Sequence, residues 1–378
     1  MLFSEIVGHD DLKKRLIQSV NENRVAHAQL FVGTEGSGKM ALAIAYAQYI
    51  NCQNRTESDS CGVCPSCKKY MSLSHPDLHF IFPTATNKSV KKDPESDLFL
   101  AEWREYFSDC QGYVNLSEWF DKLDIENKQG IINVRDASTV IRKLSFKSYE
   151  SEYKVVILWM PEKLNVFSAN KLLKLIEEPP EKTLFLLVAE NQEEVLSTIR
   201  SRCVLVKVPR LDTAVIKDAL VEKCGCSEQL ALDAATMSNG SWPLAKRFSN
   251  DIDNEMLYAD TFRKWMRYCF KGAVPELIDF VANEIKGLGR EKQKALLEYG
   301  LNIFHCSLLI NNNISSAVML TSAEKTFAQN FAPYINMKNV TQICALFEES
   351  INQIVRNANA QLVFMDDSLK MSKLLRLR

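Results

Sequence analysis

A three-layer α/β domain with a largely parallel sheet, followed by helices to the end of the chain, is the fold class this sequence predicts. Three observations carry it. An apolar strand, Gln29 to Val32, runs into a glycine-rich turn and an apolar helix. Two further apolar runs, Lys154 to Trp159 and Leu184 to Val188, read as strands buried on both faces, and helical patterns separate the runs. Beyond Asn250 the apolar spacing is helical throughout.

The chain has 378 residues, enough for two or three cores. A net charge of −1 gives no bulk attraction to nucleic acid or membranes, so any DNA contact is expected to be local or supplied by partners. With no leader pattern and no long apolar run, the expected setting is the cytoplasm, away from membranes. Eleven cysteines there point to metal binding or buried thiols, not to a disulfide framework.

Taken in order, Leu12, Leu16, Ile17 and Val20 mark a first helix. The turn that follows holds Gly33, Gly36, Gly38 and Lys39. It matches a phosphate-binding loop whose backbone amides and lysine face phosphate oxygens at a helix N-terminus. Met40 stands where that pattern needs a magnesium-binding hydroxyl. The helix from Met40 to Ile50 packs on a sheet whether or not nucleotide binds, and the sequence leaves ATP or ADP binding open.

Cys52, Cys61, Cys64 and Cys67 have a spacing that closes a tetrahedral thiolate site, so a structural zinc is expected. A redox pair is the competing reading; haem attachment lacks its histidine. His75 and His79 read as turn and strand residues. The stretch from about 83 to 130 carries mixed charge and aromatics at partly helical spacing, and reads as an insertion packed on the domain surface. A basic-aromatic nucleic-acid patch is the weaker reading there, given the interspersed acids.

The strand ending at Trp159 should close on Asp-Glu in a nucleotide-hydrolysing protein, to hold magnesium and polarise water. Here Trp159, Met160 and Pro161 intervene before Glu162. Ser168 is read as the N-cap of a helix running to Glu177, which Pro179 and Pro180 stop. A short helix then delivers Arg200 and Arg202. On spacing alone these are either solvated surface charges or a guanidinium projected to a phosphate on a neighbouring subunit.

His27 to Gly33, the four cysteines, Ser168 to Lys174, Glu177 to Pro180 and Thr198 to Cys203 together resemble the AAA+ clamp-loader subunits of bacterial DNA polymerase III, the delta-prime branch in particular. The resemblance covers residues 1 to about 208 and is weaker beyond. It implies a RecA-like nucleotide-fold domain with a zinc module over 1–208, a small helical lid over 209–250, and an all-α C-terminal collar over 251–378. The implied partners are gamma/tau and delta subunits in a hetero-pentamer, the sliding clamp, and primed DNA through the complex. Arg202 is then implied as an arginine finger acting in trans. Gly33, Gly36, Gly38 and Lys39 become a vestigial or weak phosphate loop. Gamma/tau subunits keep the hydroxyl, the Asp-Glu pair and a lid arginine, where this chain has Met40, Trp159-Met160 and Pro243. The rival expectations are a self-sufficient AAA+ ATPase and a zinc-dependent nucleic-acid binder.

Overall fold

The computed structural model describes all residues except 126–129, 251, 313, 315–319, 321, 357 and 378. The end of the 83–130 insertion therefore lies partly outside the described residues. The chain forms two compact units, one of residues 1–225 and 238–245, the other of residues 226–237 and 246–378.

The first unit is built on five parallel strands: β1 (Ala28–Val32), β2 (Leu78–Ile81), β3 (Lys154–Trp159), β4 (Thr183–Ala189) and β5 (Val204–Lys207). Their order across the sheet is β2-β3-β4-β1-β5. Each crossover carries a helix, and both faces are covered, which is why β3 and β4 are buried at every position and apolar at all but their first residues, Lys154 and Thr183. On one face lie α1 (Asp10–Asn21), α2 (Lys39–Ile50), α3 (Pro65–Met71), α4 (Leu100–Asp109) and α5 (Leu116–Lys122). On the other lie α6 (Val134–Ser145), α7 (Val166–Glu177) and α8 (Ser197–Arg200). The unit continues into α9 (Thr213–Cys224). The α/β parallel-sheet class expected from the sequence is the fold observed.

All twelve residues of α2 are buried, Met40 among them, so this helix is core and presents no oxygen where the loop pattern wants one. Asn165, not Ser168, caps α7: its side chain accepts from the Phe167 amide, and the helix starts a turn earlier than expected. Ser168 is instead buried in the first turn, where its hydroxyl donates to the Ile132 carbonyl 3.1 Å away.

The insertion departs most from expectation. It does not lie on the domain surface. Phe99, Trp103 and Trp119 are fully buried, with Trp103 stacked on Phe82 at 4.6 Å between ring centres and 5.1 Å from Trp159. Trp119 donates its indole N–H to the Pro83 carbonyl. Burying aromatic rings of this size contributes several kcal/mol, so these residues hold α4 and α5 into the main core.

The second unit comprises α10 (Glu228–Met237), most of α11 (Trp242–Asn250), α12 (Ile252–Lys271), α13 (Val274–Phe280), α14 (Arg290–Asn311), α15 (Ser322–Phe331), α16 (Val340–Val355) and α17 (Ala360–Leu374). Its core gathers Phe262, Trp265, Phe304, Phe347 and Phe364, and the Trp265 indole donates to Ser368 Oγ at 2.8 Å. No helix among the described residues is long and apolar enough to cross a membrane.

Asp367 is a costly member of that core. Its Oδ1 accepts from Ser350, its Oδ2 has no partner, and burial pushes its carboxyl up to about 7. A folded-state value above the unfolded one means that ionisation opposes folding. Stability is complete below the unfolded value near 3.8, declines as pH rises to about 7, and is flat above. Asp367→Asn should therefore stabilise this unit at pH 8, by up to about 4 kcal/mol, and give no gain at pH 3.5. Denaturant melts of both forms at the two pH values test this; an equal effect at both would remove the titration account.

Candidate functional site

The glycine loop sits at the C-terminal end of β1, between β4 and the edge strand β5. Gly36 and Gly38 have φ of +73° and +86°, which lets the chain turn sharply into the N-terminus of α2. The first amides of that helix have no intrahelical partner and favour an anion. Much of the loop is nevertheless tied to the chain itself. Lys39, 3% exposed, donates to the Thr34 carbonyl at 3.2 Å and to the Glu190 carboxylate at 3.3 Å. Burial lowers the Lys39 ammonium from its usual range, and Glu190 opposes that shift. His9 Nε2 meets the Ser37 carbonyl at 2.7 Å, and the Trp242 amide donates to the Gly36 carbonyl.

Glu190 directly follows β4, the strand beside β1, and this adjacency brings its carboxylate to the lysine. At the end of β3, Trp159 is 1% exposed and packs on Trp103. Glu162, the nearest acid after it, is spent structurally. Its Oε1 accepts from the amides of Glu190 at 2.6 Å and Asn191 at 3.0 Å, binding the ends of β3 and β4 together. Burial raises its carboxyl from the ordinary range. Its other oxygen, Oε2, is buried with no partner, so one side of this carboxylate is left unsatisfied at the edge of the loop.

Arg202 lies elsewhere. Strands β1 and β5 are parallel and in register from Gln29–Val204 to Val32–Lys207. The glycine loop leaves one end of that pair, and Arg202 enters at the other, about 20 Å away at strand rise. Its guanidinium is bound by the Glu177 carboxylate through Nε and Nη2, and by the Thr198 carbonyl through Nη1 at 2.7 Å. Arg200 is tied to Glu193 at 2.7 Å. The structure thus separates the two halves of the expected machinery, so Arg202 cannot serve its own chain's loop.

The four cysteines do converge. Their sulfurs all lie within 4.8 Å of one another, and Cys61 and Cys67 are 3.9 Å apart, close to the edge of a tetrahedron with metal–sulfur bonds of about 2.3 Å. The amides of Cys61, Cys64 and Cys67 point at the sulfurs of Cys52, Cys61 and Cys64, a set of N–H···S contacts that favours thiolate. Backbone donors bring Cys61 down to about 6, while burial pushes Cys67 up. The donor set fits a closed tetrahedral metal site held by these four residues. His75 and His79 are apart from it: His75 Nδ1 accepts from the Asp77 amide, and His79 lies in β2.

Glu190, Glu177, Tyr113 and Ser241 were not visible as site residues in the sequence. Glu177 stood in one of the motifs that carry the resemblance, without a role, and Glu190 left the signal of an acid closing an apolar strand run, whose meaning depends on which strand neighbours β1.

Residues 8–212 match the family model described as DNA polymerase III, delta subunit. Among curated proteins, the chain is 28% identical over 238 residues to DNA polymerase III subunit delta' of Bacillus subtilis, covering 63% of this chain and 58% of that one. It is 25% identical over 235 residues to the tau subunit of the same organism, covering 62% of this chain and 34% of that one. The chain thus matches less than two thirds of the length of these relatives. Among solved structures it resembles a gamma subunit-related protein of Thermotoga maritima, at a TM-score of 0.41, 15% identity, and coverage of 97% of this chain and 100% of that one.

Proposed function

Because the chain belongs to the DNA polymerase III delta subunit family, we propose that it is a clamp-loader subunit of the delta-prime kind, deficient in hydrolysis, that presents Arg202 to ATP bound on a neighbouring subunit. The observation that carries this reading is the opposition of Arg202 and the glycine loop across the sheet, with buried Trp159 at the strand end where hydrolysis needs an acid and Glu162 committed through one oxygen to the Glu190 and Asn191 amides. A guanidinium at the end of the sheet away from its own loop, on a chain without the Asp-Glu pair at the end of β3, can act on a nucleotide phosphate only in trans.

In this reading the partners are gamma/tau and delta subunits in a hetero-pentamer, with the sliding clamp and primed DNA reached through the complex. Residues 251–378, the bulk of the second unit, are the collar through which the subunits assemble, and residues 209–250, which are divided between the two units, are the lid. Zinc held by Cys52, Cys61, Cys64 and Cys67 is structural: four thiolates leave it no open position.

The test is ATP hydrolysis by the purified chain alone, then with gamma/tau and delta subunits, clamp and primed DNA. Silence alone and turnover in the assembly are expected. Turnover by the isolated chain would overturn the reading and make it a motor in its own right.

A further inference from the structure

Building on the hydrolysis-deficient reading above, we propose that the phosphate loop carries an internal ligand: Glu190 takes the place of a phosphate on Lys39, and Tyr113 and Ser241 close the loop over it. The subunit thereby holds its loop in the liganded shape without nucleotide.

Three contacts and the burial of the loop support this, all within the first unit. The first is the Lys39–Glu190 pair at 3.3 Å, which gives the buried ammonium the anionic partner that a phosphate oxygen gives the corresponding lysine of a working loop. The second is at Gly36, where an added Cβ would fall 1.9 Å from Ser241 Oγ, so the outer side of the loop is already in contact with the chain. The third is at Gly38, where an added Cβ would meet the Tyr113 ring at 3.2 Å. The Tyr113 hydroxyl accepts from the Val7 amide at 3.3 Å, so the ring bridges the loop and the segment before α1. The fourth is the burial of Gly36, Ser37, Gly38 and Lys39, with the Ser37 hydroxyl enclosed and unpartnered. A loop open for phosphates would leave these residues lining a space.

Tyr113 comes from the insertion, which gives that segment a task. Gly112, with φ of +79°, brings it against α2, where an added Cβ would lie 3.2 Å from Ala41. The aromatic anchors Trp103 and Trp119 fix α4 and α5 on either side.

The experiment is titration of the full zinc-loaded chain with a fluorescent ADP analogue and with tripolyphosphate, followed by anisotropy and thermal shift. The wild-type chain should show no saturable binding at micromolar concentrations. Glu190→Gln, which keeps the shape and removes the charge, should bind tripolyphosphate at least about tenfold more tightly. Tyr113→Ala combined with Glu190→Gln should add binding of the ADP analogue. Saturable micromolar binding by the wild type overturns the proposal. So does a Glu190→Gln chain with wild-type melting behaviour and no gain in binding; Glu190 is one-third exposed, and the substitution should fold. Neither result touches the trans role of Arg202, which is read from ATP turnover in the complex.

Discussion

A clamp loader assembled with Arg202→Ala should keep its full complement of subunits and lose ATP turnover at the site this arginine faces, by about a thousandfold at that site. In steady state the loss appears as the disappearance of that site's share of the total. Unchanged turnover in an intact complex would remove the arginine from the mechanism. In the isolated chain the guanidinium is not idle: Glu177 binds it through two nitrogens and Thr198 through a third. A phosphate must compete with that carboxylate, and because both nitrogens share the one oxygen Oε1 at a partly exposed site, the ion pair costs little to exchange. The pair also holds the side chain in one orientation before a neighbour arrives. Glu177→Gln should therefore leave assembly and the maximal rate near wild type while weakening the dependence of turnover on correct docking. A kcat loss as deep as that of Arg202→Ala would instead place Glu177 in the reacting geometry. Size-exclusion chromatography with subunit quantification separates a catalytic loss from a failure to assemble in either variant.

The parts of this molecule that were legible in its sequence are those written in contiguous residues. Gln29 to Val32 with the glycines that follow, the two buried strands, and the four cysteines each carry their whole signal within a short window. What escaped depends on the order of strands in the sheet. Glu190 reaches Lys39 only because β4 lies beside β1, and no local pattern announces that neighbour. Glu177, at the end of α7, and Arg202, just after α8, are 25 residues apart with the whole of β4 between them in sequence. The insertion misled for another reason. Its apolar residues are divided between two short helices and irregular links, so neither helical nor strand period stands out, yet the sheet face beside α2 needs those rings for cover. At α7 the stronger competitor won: Asn165 begins the helix because its side chain caps the Phe167 amide, leaving Ser168 inside the first turn.

Removing the metal from the cysteine cluster should destabilise the first unit well beyond the cluster itself. The loop that carries Cys61 also carries Asp59, whose two carboxylate oxygens accept from the amides of Phe3 and Ser4 at 3.1 and 3.0 Å. Ser60 in the same loop accepts from Gln48, and Gln48 in turn accepts from the chain's amino terminus at 2.8 Å. The opening segment is thus pinned by the cysteine loop, and that segment supplies Ile6 and Val7 to Tyr113 and Gly38. Chelation leaves four thiols close together, three of them buried, with nothing to hold the loop closed. The first unit should then melt lower by roughly 10 °C, the equivalent of about 3–5 kcal/mol in a unit of this size. Proteolysis should open first near the N-terminus and the 52–67 loop, because these lose their mutual anchor before the sheet does. Cys61→Ser should reproduce the effect, since it removes one ligand while leaving the buried sulfurs in place. Metal analysis of the purified chain, melting before and after chelation, and limited proteolysis read the three steps separately. An unchanged melt after quantitative metal loss would mean that the sulfur cluster packs adequately as thiols, and that the hydrogen bonds of Asp59 and Gln48 alone position the opening segment against the phosphate loop.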